Sequence, residues 1–227
     1  MQAIRPIFYA IDKSPFVKSV DIKFEFFSGF ALSQKIKSID SLLSNARAEL
    51  KSEKILEISK ASPNPLGKAL SAFNLKLRLK DEDKNFIEAS VERFFQGSKF
   101  FERGGQFEEI IFSAKAHPKK YPPLKNSGNF CGFELFGERF STEPKTYFYD
   151  FLYLSALKQN PNLADEILKY DYFSDIEFNP KKSFSAQSRA AALFVGLSRN
   201  GIFKEIFADK DTFFDFYCKN FKRESLF

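Results

Sequence analysis

Val20–Leu50 reads VDIKFEFFSGFALSQKIKSIDSLLSNARAEL, and its two halves have different periods. Val20, Ile22, Phe24 and Phe26 alternate with Asp21, Lys23 and Glu25, the pattern of a half-buried strand that ends at Gly29. From about Ser33 the apolar positions Ile36, Ile39, Leu42 and Leu43 recur at helical spacing, and the helix is expected to fray in the charged run ARAELKSEK. A chain that changes period in this way mixes strand with helix. Further along, ILEI reads as a short strand, SPNPLG as a loop into a short helix, and Leu75, Leu77 and Leu79 alternate with Lys76, Arg78 and Lys80 as a strand closed by the turn DEDKN. The spacing predicts a helix from Ile87 to Phe101, stopped by Gly104-Gly105, then an irregular basic loop from Lys115 to Gly128. Lys145 to Lys158 is apolar or aromatic almost all round, which marks a buried helix. Asn160-Pro161 then caps and opens the next helix. Tyr172 to Phe184 reads as an extended or turn segment around Asn179-Pro180, with Ser185 capping a last helix that ends near Gly201. Helices outnumber the alternating segments, so the expected fold is one α+β domain over residues 1–227, mainly helical with a few short strands.

Composition narrows the chemistry. The 35 Lys and Arg against 29 Asp and Glu give a net charge of +6, a balance suited to an anionic partner such as nucleic acid or a nucleotide. Two widely spaced cysteines, Cys131 and Cys218, do not make a disulfide framework or a cysteine zinc site, and they fit a reducing cytoplasm. The N-terminal MQAIRPIFYAIDKSP lacks the apolar run of a signal peptide, and no stretch is apolar for long enough to span a bilayer. One histidine, His117, leaves a Ser-His-Asp triad or a multi-histidine metal cage without its parts, so no metal site is expected. No G-x-G-x-x-G or P-loop run occurs, and no nucleotide cofactor is expected. Chemistry then falls to carboxylates, lysines and amides. The 31 Phe, with no Trp, supply a core and flat faces on which a base could stack.

Three constellations stand out. Glu92, Gln96 and Lys99 lie at i, i+4 and i+7 with Phe95 beside them, so their side chains share one helical face and could line a pocket; a solvated face would read the same. Lys35 is near the start of its helix yet in register with Ile39 and Leu42 on the apolar side, where the helix dipole and burial would disfavour its ammonium form and expose a nucleophilic amine; a lysine snorkelling to water is the alternative. YFSDIEFNPKKS places Asp175 and Glu177 on an irregular stretch with Asn179, Lys181 and Lys182, as a catalytic loop or as a turn full of capping residues. Glu92 paired with Asp175 could cleave a glycosidic bond, one protonating the leaving group and the other supporting an oxocarbenium-like centre or aligning water. Lys181, Lys182 and Arg189 could hold phosphates or form a solvated basic face.

These segments together resemble the NADAR family, and most closely its branch of antitoxins that accompany DNA ADP-ribosyltransferase toxins of the DarT type. The resemblance rests on FSGFALSQKIKSIDSL (Phe27–Leu42), LSAFNL (Leu70–Leu75), VERFFQGSKFFERGG (Val91–Gly105), GFELFG (Gly132–Gly137), EPKTYFYDFLYLSAL (Glu143–Leu157) and FSDIEFNPKKSFSAQSRAAALFV (Phe173–Val195). In the wider superfamily LSAFNL is similar to an "LSNF" element, VERFFQGSKF to an "EHxxQAxKF" helix, and Asp175 to a late aspartate before the last shared helix. The chain departs from the branch at Phe140 and Phe151, where tryptophans are common, and at Ala186 and Ser188 inside a segment that often resembles "NCQARS".

The resemblance implies a metal-independent hydrolase that removes ADP-ribose from the guanine amino group of ADP-ribosylated DNA and so serves as antitoxin to a DarT-type toxin. It implies Glu92 as acid/base and Asp175 as a second carboxylate. Lys35 would be an amine that captures the opened sugar as a Schiff base. Phe73, Asn74, Phe95, Gln96, Lys99, Asn179, Lys181 and Arg189 would shape the ADP-ribose pocket. NADAR relatives that resemble N-glycosidases of riboflavin-pathway nucleotide intermediates give a second enzyme reading, and a basic protein that binds toxin or DNA without catalysis gives a third.

Overall fold

A computed structural model describes residues 1–29, 31–113, 115–180 and 183–221. The architecture is α+β, as expected, with ten helices and ten strands among the described residues. The principal sheet runs β2-β1-β10-β3, from β1 (Gln2–Ala10), β2 (Val17–Glu25), β3 (Ile55–Glu57) and β10 (Tyr172–Ser174). β1 is antiparallel to β2 along its whole length and antiparallel to β10, whereas β10 and β3 are parallel. β1 is absent from the sequence reading. It is an inner strand packed from both sides, so Ile7, Phe8 and their neighbours give no clean alternation.

One face of this sheet is covered by α1 (Leu32–Leu50), which docks Ile39, Leu42, Leu43 and Ala46 on Ile7, Ile22 and Phe24. The helix does not fray at ARAELKSEK but continues to Leu50, where Lys51 at φ 51° ends it in a left-handed cap. The other face meets α8 (Gln187–Arg199), whose Ala190–Val195 run is fully buried with Leu56 and Phe173. Ser185 makes no cap for this helix: its N-cap is Ala186, whose side chain has nothing to donate or accept. Behind α8 lies α6 (Tyr147–Gln159), buried on nearly every side as its composition predicts. Tyr153 donates its hydroxyl to the Leu70 carbonyl at 2.7 Å. Asp150 is ion-paired with Arg189, and both are bonded to the Tyr217 hydroxyl. Tyr217 belongs to α10 (Lys210–Asn220), which closes that side together with α7 (Pro161–Ile167) and α9 (Phe203–Ile206).

The segment expected as one helix from Ile87 to Phe101 is three elements: β5 (Phe86–Ser90), α3 (Val91–Gly97) and β6 (Lys99–Phe101). The DEDKN turn, held by Asp81 accepting from the Asn85 amide at 2.8 Å, folds the chain back so that β5 pairs with β4 (Lys76–Lys80), and that ladder outweighs the helical spacing. β6 joins β7 (Gly104–Gly105), β8 (Phe130–Leu135) and β9 (Glu138–Phe140) in the order β7-β6-β8-β9, with Phe136 and Gly137 at positive φ turning the β8–β9 hairpin. Short helices α2 (Pro65–Ala69), α4 (Glu108–Phe112) and α5 (Pro123–Asn126) lie in the connections, α5 inside the basic loop read as irregular. No helix among the described residues is long and apolar enough to cross a membrane.

Two contacts fix the middle of the chain against β3. Gly67 of α2 lies so close to it that a Cβ there would stand 2.0 Å from the Glu57 carbonyl oxygen. The Gln187 side chain accepts from the Ala72 amide at 2.7 Å and donates to the Ile58 carbonyl at 2.8 Å. Gln187→Leu therefore strands the buried Ala72 amide and is expected to lower unfolding stability by about 1–3 kcal/mol in urea titration. Gly67→Ala is expected to cost about 1–3 kcal/mol or more in the same experiment, because the Glu57 carbonyl and the Ser62 side chain must both give way.

Candidate active site

The LSAFNL segment sets the start of α3. Its Leu75 and Ala72 carbonyls accept the Val91 and Glu92 amides at 3.0 and 2.9 Å, which satisfies donors that every helix leaves open at its first turn. Glu92 is thereby held at the helix start, only 3% exposed, with its carboxylate accepting from Gln96 Nε2 at 2.8 Å and facing Lys119 Nζ at 3.6 Å. The expected i, i+4, i+7 stripe survives in altered form. α3 ends at Gly97, so Lys99 reaches the same place from β6, with its ammonium 5.0 Å from the Phe95 ring centre.

Glu92, Phe95, Gln96 and Lys99 form one wall of a cavity of about 760 Å³, a size that suits a nucleotide-sized ligand. Tyr149 of α6 forms its floor, packed edge-on to Phe95 at 5.0 Å. A second wall is the loop after β10, with Asp175, Glu177, Phe178 and Asn179. Asp175 accepts the Glu177 and Phe178 amides at 3.0 and 3.2 Å, so the loop curls around its own carboxylate. Phe73 completes the rim between two ammonium groups, Lys60 at 4.9 Å and Lys119 at 5.0 Å from its ring centre.

Burial splits the charges of the cavity. Asp175 is pushed well above the usual carboxylate range, chiefly by burial and then by the neighbouring Glu57 and Glu177 carboxylates, against the Glu177 amide and Lys119. Lys99 is lowered by burial and by Lys119, with Glu92 opposing. A carboxyl group biased toward its protonated form and a lysine biased toward its neutral amine thus line one space with Glu92. Such an arrangement can transfer a proton to a leaving group while a carboxylate steadies positive charge or water.

The residues singled out from sequence divide cleanly. Glu92, Asp175, Phe73, Phe95, Gln96, Lys99 and Asn179 all line this cavity. Asn74 does not: its side chain donates to the Lys68 carbonyl at 2.8 Å and holds a turn. Arg189 does not either, because its guanidinium is drawn into the core by Asp150 and Tyr217. Lys181 and Lys182 lie outside the described residues. Lys35 is not in the apolar interior. Its side chain is 41% exposed and its Nζ is 2.6 Å from Glu177, since a long stem at the first turn carries the ammonium past the end of the apolar stripe. Lys119, Tyr149 and Gln187 are lining residues that sequence reasoning passed over. Gln187 opens α8 beside Ser188 and Arg189, a polar start that reads like an ordinary helix N-terminus.

Because the folded protein holds the Asp175 proton more tightly than the unfolded chain does, this group favours the fold fully at low pH, and the contribution is lost as pH rises through its elevated pKa. Asp175→Asn is expected to remove that dependence. Its melting temperature relative to wild type should climb as pH rises from the ordinary carboxylate range through the elevated Asp175 pKa in calorimetric scans.

No curated protein sequence matches the chain. The family model of the DarT1-associated NADAR antitoxins matches residues 3–226, a span that takes in both walls and the floor of the cavity. The chain belongs to the family of DarT1-associated NADAR antitoxins.

Proposed function

We propose that the protein is a glycohydrolase that removes ADP-ribose from the guanine amino group of ADP-ribosylated DNA, and that this reversal is its antitoxin activity. The observation that carries this reading is the pair of carboxyl groups, Glu92 and Asp175, lining one nucleotide-sized cavity, with Asp175 favoured in its protonated form by burial. Membership of a toxin-associated family supports the antitoxin role.

The bond to be broken joins the anomeric carbon of the ribose to the exocyclic nitrogen of guanine. A proton delivered by Asp175 lets that nitrogen leave as the neutral amine, and Glu92 supports the cationic sugar carbon and then takes a proton from the attacking water. Lys99, Lys119 and Lys145 give the cavity the positive charge that a pyrophosphate requires, and Phe73 offers a flat face beside Lys119. An amine route uses the same groups: with the ribose ring open, a lysine adds to C1, the guanine amine departs, and water releases the sugar aldehyde from the resulting Schiff base. Lys35 would serve from its place beside Glu177. Lys99 is the lysine of the cavity wall that meets the requirement for desolvation.

An oligonucleotide carrying one ADP-ribosyl guanine tests both routes. Wild type should release free ADP-ribose, and Glu92→Gln and Asp175→Asn, each shown to be folded, should lower kcat by about 100-fold or more. The rate should fall as pH rises through the elevated Asp175 pKa, since the acid must be protonated to act. Borohydride added during turnover should link ADP-ribose to the protein if the amine route operates, and loss of that link in Lys35→Ala or in Lys99→Ala identifies the amine. No release by folded wild type, with ADP-ribose freed instead from a nucleotide substrate or from neither, ends the DNA reading.

A further inference from the structure

Glu57 is a buried carboxylate that the chemistry above does not use. It stands at the end of β3, 2% exposed, among residues that are themselves buried, and it is not part of the cavity lining. β3 pairs in parallel with β10 for three residues, Ile55–Glu57 against Tyr172–Ser174, and there the regular ladder ends. Beyond it the backbone of residues 174–178 turns away, and its donors need acceptors. Two carboxylates supply them. Asp175 accepts from Glu177 and Phe178, and Glu57 accepts from the Ser174 hydroxyl through one oxygen and from the Ile176 amide, at 3.0 Å, through the other. The two groups held by Glu57 belong to the residues on either side of Asp175.

We propose that Glu57 is the positioning residue for Asp175: by gripping Ser174 and Ile176 together it fixes the backbone of the residue between them, and so sets where the Asp175 carboxyl stands in the cavity. The proposal rests on the hydrolase reading for its consequence in catalysis, but not for its geometry. A residue that merely filled the sheet would be apolar, since a carboxylate taken out of water is unfavourable without its bonds. Ile58 donates its amide to the Ser174 carbonyl at 2.8 Å, so the strand end is already tied by backbone, and the side chain of Glu57 serves the loop beyond it. The charged and titratable groups around the pair are Glu177, Lys119, Arg5, Tyr149 and Tyr153. Glu57 is itself raised, by burial, and its charge adds to the elevation of Asp175.

The full-length protein tests this by nuclear magnetic resonance and by turnover, with Glu57→Ala and Glu57→Gln. In Glu57→Ala, hydrogen exchange at the Ile176 amide should accelerate at least about tenfold while the remaining sheet amides stay protected. The kcat for ADP-ribose release should fall by about 100-fold with KM changed much less. Glu57→Gln retains an acceptor for Ile176 and a polar group for Ser174, so it should recover most of that kcat. It also removes the charge, so the carboxyl titration of Asp175, assigned with Asp175→Asn, should move down by about one pH unit. The idea is overturned if folded Glu57→Ala keeps Ile176 protected and Asp175 titrates as in wild type in both variants. Should Glu57→Ala fail to fold, Glu57→Leu, which keeps the bulk and removes both acceptors, decides alone: faster exchange at the Ile176 amide supports the proposal and unchanged protection overturns it. If wild type releases no ADP-ribose while the exchange and titration effects appear, the hydrolase reading falls and the positioning by Glu57 stands.

Discussion

A helix with no wet face until its last turn determines how the rest of this protein can be arranged. Residues 147–157 of α6 bury Tyr147, Phe148, Tyr149, Leu152, Tyr153, Leu154 and Leu157, so every side of the helix must be covered by something else. α8 covers one side, α3 and β4 another, and α10 a third. Phenylalanine supplies the fill: Phe133 and Phe140 stack near Phe148 at 4.6 and 4.5 Å, and Phe207 and Phe213 close on Phe151. Flat rings of this kind pack tightly at tilted angles without polar atoms that need partners. Among the polar groups that α6 carries, Asp150 is answered by Arg189 and Tyr217, and Tyr153 by the Leu70 carbonyl.

The cavity follows from this packing. Tyr149 is the part of α6 left facing space, and LSAFNL, α3 and the loop after β10 are brought around it by the strands and caps that α6 supports. The loop is built on carboxylates. Glu57 and Asp175 between them take up four donors of residues 174–178, and both groups are removed from water as a result. Binding the loop and shifting the proton affinity of Asp175 are therefore the same physical event, because the burial that makes these hydrogen bonds strong also disfavours the charge.

Much of the fold was legible. β2, α1 and β4 follow strict periods, α6 read as a buried helix from composition, and α8 read as a helix ending near Gly201. β1 was hidden because it is sandwiched in the middle of its sheet, and β5 because Ile87, Ala89 and Val91 satisfy two periods until the partner strand is known. Of the site, Glu92, Gln96 and Phe95 were visible through helix spacing, Phe73 through the LSAFNL resemblance, and Asp175 and Asn179 as polar residues on an irregular stretch. Lys35 misled because spacing gives the direction of a Cβ and not the reach of a lysine stem. Arg189 misled because a positive charge near a basic segment suggests a ligand, and only the tertiary fold shows Asp150 beside it. Glu57 left a faint trace, one acid inside ILEI, which has no meaning until β10 is set next to it.

The order β2-β1-β10-β3 has a bearing on how the molecule comes into being. A ribosome delivers β1, β2, α1 and β3 early, yet the seat between β1 and β3 stays vacant until Tyr172–Ser174 has been made, and that strand is held in turn by α8 behind it. A nascent chain can carry Glu92 for the time it takes to add some eighty residues and still lack the wall that holds Asp175. The site is thus completed late in synthesis, and a product that stops short of Tyr172 has one wall and nothing for it to work with.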